Sequence, residues 1–295
     1  FPSSSIKRKR CAMTGMTNAS GLEATLDLPL PRLVEGRFSN LTAFTDGALF
    51  EACGVRIAFT ERSGGVSEPP YDSLNLGLHV DDNPESVREN RRRVCEAFAI
   101  DPSRLIVPNQ VHGADVAVCE NAGDIAETRE FAAEGSDAVV VGCDGVAALL
   151  CFADCAPVII VAPSGKFAVA HCGWRGVVYG AWATALSTLC ELTGDDPERF
   201  NVYIGPYIHA CHFEVGEEVA KQFFDSFGEA SLVDERHVDM GAALRCGFAS
   251  MGVAPERIAD VDMCTVCDAG ERFYSYRASG GTCGRHGAFA ARILG

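Results

Sequence analysis

Apolar and polar positions along this chain fall into two rhythms. Val55-Arg56-Ile57-Ala58-Phe59-Thr60 alternates as a strand does, and Arg62-Ser63-Gly64-Gly65 follows as a turn. Four compact apolar runs occupy the middle: Ala138–Val141, Val146–Phe152, Val158–Val161 and Phe167–Ala170, separated by Gly, Asp and Pro. Runs of this length without alternation read as strands covered on both faces. The helical rhythm is set by its boundaries. Asn83-Pro84-Glu85 supplies a capping side chain, a proline at the first helical position and an acid near the positive end of the helix dipole. Val87, Val94, Cys95 and Phe98 then mark one apolar face. Further helices are expected over 174–193, near 214–227 and near 239–251, each stopping before Gly194, Gly228 or Gly252. Short strands are expected at Asn201–Ile204, near 258–262 and near 272–277. Helices and strands alternate irregularly, with no repeat and no interior linker. This pattern predicts one α+β (mixed α/β) domain over residues 46–295, mixed β-sheets flanked by helices, behind a poorly ordered segment over residues 1–45.

Composition narrows the function. Apolar residues make up 47% of 295, enough for a sizeable core, and the formal net charge is −15. That field disfavours nucleic acid and anionic membranes as partners, while a local group of arginines could still hold an anionic substrate. No apolar run approaches a membrane span, and nothing resembles a secretion signal. The 14 cysteines sit mostly inside apolar runs, as in Leu150-Cys151-Phe152, and read as reduced, buried thiols. A cytoplasmic setting is expected. The basic run Lys7-Arg8-Lys9-Arg10 reads as a solvated tail.

Three segments carry candidate ligands: His112 in Gln110-Val111-His112-Gly113, Cys155 in Ala153-Asp154-Cys155-Ala156-Pro157, and His171 in Ala170-His171-Cys172-Gly173-Trp174-Arg175-Gly176. All lie at expected strand ends, where loops can converge. Two imidazoles and a thiolate suit zinc with one open position, at which a bound water loses its proton near neutral pH. Their spacing matches no compact zinc signature, so a buried thiol with two hydrogen-bonded histidines is the competing reading. The glycine-rich turn at 173–176 could bind an anion with Arg175 as its fork, or Arg175 could belong to a structural ion pair. Cys264-Thr265-Val266-Cys267 is a lone C-x-x-C, and His209-Ala210-Cys211-His212 is a short His/Cys group. Each is expected to serve structure only, because neither shows a partner pair at metal-binding spacing.

These segments resemble the signatures of the laccase-domain family, also called multicopper polyphenol oxidases, which are purine nucleoside phosphorylases. So do Arg62-Ser63-Gly64-Gly65-Val66-Ser67, Ser73-Leu74-Asn75-Leu76-Gly77, Ile204-Gly205-Pro206, Phe213-Glu214-Val215-Gly216-Glu217, Cys264-Thr265-Val266-Cys267-Asp268 and Phe273-Tyr274-Ser275-Tyr276-Arg277, followed by Gly280-Gly281-Thr282-Cys283-Gly284-Arg285. The match runs in order from about residue 55 to 294. Departures are Cys172 for an expected Ala, Cys283 for an expected Thr, and a longer run at 121–135.

The resemblance implies a metal held by His112, Cys155 and His171, zinc in the first instance with copper possible. It also implies phosphorolysis of adenosine, inosine and methylthioadenosine, and deamination of adenosine. Asp154 would be an acid/base or would orient a histidine ligand. Arg62, Arg175 or Arg285 would hold phosphate, and Asn75 and Gln110 would bond ribose or base. The partners expected are therefore a nucleoside and phosphate. A four-copper laccase needs about ten histidine ligands, mostly in His-X-His pairs; seven histidines and no such pair exclude it here. Two alternatives stand beside this reading: a cysteine hydrolase with Cys155 as nucleophile and His171 as base, and a non-enzymatic partner of cell-wall or division machinery that keeps a structural metal.

Overall fold

The four apolar runs become central strands of two packed sheets. The computed structural model describes residues 27–268 and 270–293, so the basic run at 7–10 lies outside the described residues. In chain order the strands are β1 (Val34–Phe38), β2 (Leu41–Thr45), β3 (Val55–Thr60), β4 (Leu105–Ile106), β5 (Val116–Cys119), β6 (Ala138–Val141), β7 (Ala147–Phe152), β8 (Ala156–Val161), β9 (Phe167–Cys172), β10 (Asn201–Ile204), β11 (Ile258–Asp260) and β12 (His286–Arg292). The helices are α1 (Gly47–Cys53), α2 (Pro84–Ala97), α3 (Ile125–Glu134), α4 (Trp174–Tyr179), α5 (Ala181–Thr193), α6 (Glu217–Phe227) and α7 (Met240–Ser250).

One six-stranded sheet runs β1-β2-β3-β12-β7-β4 and the other β11-β10-β8-β9-β6-β5. Both are mixed: neighbours are mostly antiparallel, with parallel pairs β4–β7, β5–β6 and β10–β11. The sheets face each other. Ile57, Phe59, Leu150 and Ala288 of the first meet Val139, Ile159, Val169 and Tyr203 of the second in a shared core. The other face of the second sheet, including Val158, Ile160 and Ala170, is covered by α4, α5, α6 and α7 through Val177, Leu186, Phe223 and Leu244. The outer face of the first sheet packs on α2 through Val94 and Cys95, and on Phe98, the residue that caps the C-terminus of that helix. The result is a four-layer α/β/β/α sandwich. It explains why the central runs carry no polar alternation: both faces of β6 to β9 are covered.

Side-chain alternation along β9 fixes the site. Ala168, Ala170 and Cys172 face the helices, while Phe167 and Val169 face the other sheet. By the same two-residue period His171 points into the inter-sheet layer at its end, with its ring 5.4 Å from that of Phe152.

Asn83 caps α2 as its sequence dictates, accepting from the Glu85 amide. The helix expected over 174–193 divides at Gly180, whose φ of 82° closes α4 and starts α5. Residues 34–45, expected to lack order, form the antiparallel pair β1–β2. Residues 272–277 are not a strand. The amides of Arg272 and Phe273 donate to the Asp268 carboxylate, and that of Tyr274 to the His286 ring, so no ladder forms. All 13 cysteines among the described residues are unbridged.

Candidate active site

A cavity of about 460 Å³ opens at the end of the inter-sheet layer, and His112, Cys155 and His171 lie on its wall. His171 is the penultimate residue of β9 and Cys155 comes from the tight turn between β7 and β8. His112 comes from the loop after β4, at a left-handed φ of 60°. The three donor atoms lie within 4.8 Å of one another, with Cys155 Sγ 4.0 Å from His112 Nε2. His171 Nδ1 is 2.8 Å from the Asp137 carboxylate, which leaves Nε2 for the cavity. Asp137 is fully buried and also accepts from the amides of Val111, His112 and Gly113. Gly173 closes the back of the site: a Cβ there would sit 2.9 Å from Cys155 Sγ and 3.1 Å from His112 Cδ2.

The electrostatics match the geometry. Burial is the strongest single influence and opposes charge on both Cys155 and His171, but the charge each feels from the other and the hydrogen bonds each makes together outweigh it. The Cys155 thiol falls to about 6, helped by the His112 bond, and His171 rises to about 9, helped by Asp137. At neutral pH the metal-free pair is therefore thiolate and imidazolium. A dication would replace the imidazolium proton as the counter-charge. The donor set fits a metal: a ready thiolate, two imidazoles, and a carboxylate that orients one of them.

The other expected site residues divide. Gln110, Asp154 and Arg285 line the cavity with the triad; Arg62, Asn75 and Arg175 do not. Arg62 is bound to the Asp72 and Gly270 carbonyls. Asn75 is fully buried and bonded to Gly77, Asp82 and the Arg285 amide. Arg175 is exposed and stacks 4.2 Å over the Trp174 ring. Gln110 pairs with both backbone groups of Cys151. Asp154 accepts from the Thr265 hydroxyl at 2.6 Å and from the Arg277 amide at 2.6 Å, so both carboxylate oxygens brace the cavity wall.

Sequence reasoning gives no role to several cavity residues, among them Arg277, Tyr276 and His79. Arg277 lies within a quoted motif but was given no role. Tyr276 beside it is 55% exposed. His79 is held neutral to about pH 4, chiefly by burial and then by the Arg285 charge. Ile208 and Phe213 complete an apolar side. Asp137 was missed as well; its only signal was an acid placed directly before an apolar strand.

A family model described as multi-copper polyphenol oxidoreductase laccase matches residues 56–293. The chain belongs to this family. Among the family's relatives, purine nucleoside phosphorylase YfiH of Escherichia coli is 37% identical over 242 residues, covering 80% of this chain and 93% of the relative. Purine nucleoside phosphorylase YlmD of Geobacillus stearothermophilus is 34% identical, covering 81% and 90%. The crystal structure of YlmD from the same organism superposes with a TM-score of 0.79 at 30% identity, over 89% of this chain and all of that one. The two-sheet arrangement is thus the family's fold. No helix among the described residues is long and apolar enough to cross a membrane.

Proposed function

We propose that this protein is a purine nucleoside phosphorylase whose active site is the cavity bearing His112, Cys155 and His171. The observation that carries the reading is the meeting of this triad with two arginines, Arg277 and Arg285, in one cavity of a chain so similar to purine nucleoside phosphorylases. Phosphorolysis joins a phosphate oxygen to C1′ of the ribose, breaks the bond from C1′ to the base nitrogen, and leaves the base to take up a proton. It therefore needs an anion held beside a flat apolar base.

Arg285 and Arg277 supply positive charge in a chain of net charge −15. Their guanidinium groups are already partly engaged, Arg277 with the carbonyls of His212 and Glu214 and Arg285 with those of Cys283 and Gly284. Those bonds fix their direction and leave further N–H groups for phosphate. Tyr276 and Phe213 offer ring faces for the purine. Neutral His79 beside Arg285 can donate or accept one hydrogen bond at the ribose or the leaving base. Asp154 holds the loop that carries Tyr276 and Arg277 and acts by positioning.

Zinc, if held by His112, Cys155 and His171, would supply Lewis-acid activation of a water or a substrate oxygen. With it the reading extends to adenosine, inosine and methylthioadenosine as substrates and to hydrolytic deamination of adenosine; copper would occupy the same donors. Zinc would also engage the thiolate that a cysteine hydrolase needs.

The test is to incubate zinc-loaded protein with adenosine, with and without phosphate, beside His112→Ala. Adenine plus ribose 1-phosphate should form only with phosphate, inosine should form without it, and the variant should make neither. Adenosine unchanged in both conditions would overturn the proposal.

A further inference from the structure

Two short motifs expected to serve structure only come together in space. Cys211 and His212 lie in the loop between β10 and α6, and Cys264 and Cys267 in the loop after β11. Their four donor atoms all lie within 4.8 Å of one another. His212 Nδ1 faces three sulfurs, at 3.2 Å from Cys211, 3.4 Å from Cys267 and 3.7 Å from Cys264. Cys211 Sγ and Cys267 Sγ are 3.5 Å apart. We infer that Cys211, His212, Cys264 and Cys267 form a second metal site, a closed tetrahedral Cys₃His centre for zinc that shares no ligand with the cavity triad.

The distances decide the chemistry. Thiolates at about 2.3 Å and an imidazole at about 2.0 Å from a tetrahedral zinc lie about 3.8 Å (S to S) and about 3.5 Å (S to N) apart. The observed separations match those edges within a few tenths of an ångström. They are far too long for a disulfide, whose sulfurs lie about 2.05 Å apart. Cys264 Sγ also accepts from the His209 amide at 3.4 Å, and the amides of Val266 and Cys267 face it. N–H groups converging on one sulfur stabilise a thiolate, the form a metal binds. Four protein donors leave no open position, so this centre serves structure where the triad serves chemistry.

The place it would hold is specific. Thr265, inside the C-x-x-C, donates to Asp154, and the Thr265 amide donates to the Tyr207 carbonyl at 3.0 Å. Arg277 donates from its guanidinium to the His212 carbonyl at 2.9 Å. Ile208 and Phe213 sit on the same loop as Cys211 and His212 and line the cavity. One ion would therefore pin together two irregular loops that form one wall of the active site. The sequence hides this because the ligand pairs are more than fifty residues apart and the first pair is a bare Cys-His dipeptide.

Metal content per chain, measured by plasma mass spectrometry after purification under reducing conditions without chelator, tests the site. Wild type should carry about two zinc ions, and His112→Ala and Cys267→Ser about one each. Cobalt substituted into His112→Ala should show the strong sulfur-to-metal charge-transfer absorption of a three-thiolate site, while Cys267→Ser, left with the single Cys155 thiolate of the triad, should show only the weaker band of a one-thiolate site. A single zinc in wild type, lost in His112→Ala, would overturn the inference. Should Cys267→Ser fail to fold, alkylation of zinc-loaded His112→Ala decides. Cys211, Cys264 and Cys267 should resist iodoacetamide until a chelator is added; immediate modification of all three, or a Cys211–Cys267 disulfide in the reduced preparation, would refute the site.

Discussion

One oxygen of Asp137 lies 2.8 Å from Nδ1 of His171 and 2.9 Å from the backbone nitrogen of His112. A single buried carboxylate thus sets the ring of one candidate ligand and the backbone of the other. Its second oxygen accepts from Gly113 at 2.6 Å and from Val111 at 3.2 Å. Together these bonds hold His112 in a left-handed conformation that a side-chain-bearing residue seldom adopts.

Asp137→Asn should therefore weaken the triad more than its isosteric shape suggests. An amide nitrogen would face backbone N–H groups, leaving at least one buried donor without an acceptor, a loss of about 1–3 kcal/mol in stability. Zinc affinity at the triad should fall about 10- to 100-fold, as is typical when the group orienting a histidine ligand is removed. Competition with a chromophoric chelator measures this, and an unchanged affinity would show that His171 needs no such support.

Gly173→Ala probes the same centre from behind. The φ of Gly173 is −64°, so backbone strain is not at issue; the added methyl would press on Cys155 Sγ and the His112 ring. Turnover and triad zinc affinity should both drop, by about tenfold or more, for a displacement on the order of 1 Å. Thermal stability should change less than in Asp137→Asn. Full activity in Gly173→Ala would mean that the triad's donors have room the geometry does not show.

The arginines give a contrast within one reaction. Arg285 lines the cavity and Arg175 does not. Arg285→Ala should raise the KM for phosphate about tenfold or more, with a smaller effect on adenosine deamination, since one lost charge-assisted contact costs about 1.5–3 kcal/mol. Arg175→Ala should leave both activities near wild type. Steady-state kinetics at varied phosphate checks both, and the reverse pattern would return the phosphate to the turn at 173–176.

Legibility followed local physics. The buried strands, the Asn83 cap and the glycine stops of α5 and α6 lie within a few residues of their causes, and the sequence shows them. The ligand motifs were visible because the family resemblance gathers distant segments. What stayed hidden depends on tertiary context. β12, His286–Arg292, is small and Ala-rich, and becomes a strand because β3 and β7 flank it. Arg62, Asn75 and Arg175 have the right side chains for substrate, yet two of them are engaged by nearby carbonyls and amides and one stacks outside the cavity. Asp137 bears on His112 from 25 residues away, a relation no spacing rule encodes.

His286 makes acid stability a readout of the core. It is fully buried on β12, with Phe273 at 5.3 Å, and its Nδ1 accepts from the Tyr274 amide. Burial, then the Arg285 charge, lowers its pKa to about 3. In the unfolded chain a histidine titrates near 6.5. Between about pH 6.5 and about pH 3 the unfolded state therefore binds a proton that the folded state refuses. The stability is complete above about pH 6.5 and is lost as pH falls toward 3, at up to about 1.4 kcal/mol per pH unit for this one group. His286→Asn keeps an acceptor for the Tyr274 amide and removes the titration. It should be less stable at neutral pH, because it opens space among the rings, yet lose stability more slowly in acid. Urea midpoints from about pH 7 to about pH 4 for both proteins give a difference curve in which losses common to both, such as metal release, cancel. Parallel pH curves would show that His286 accepts its proton without unfolding.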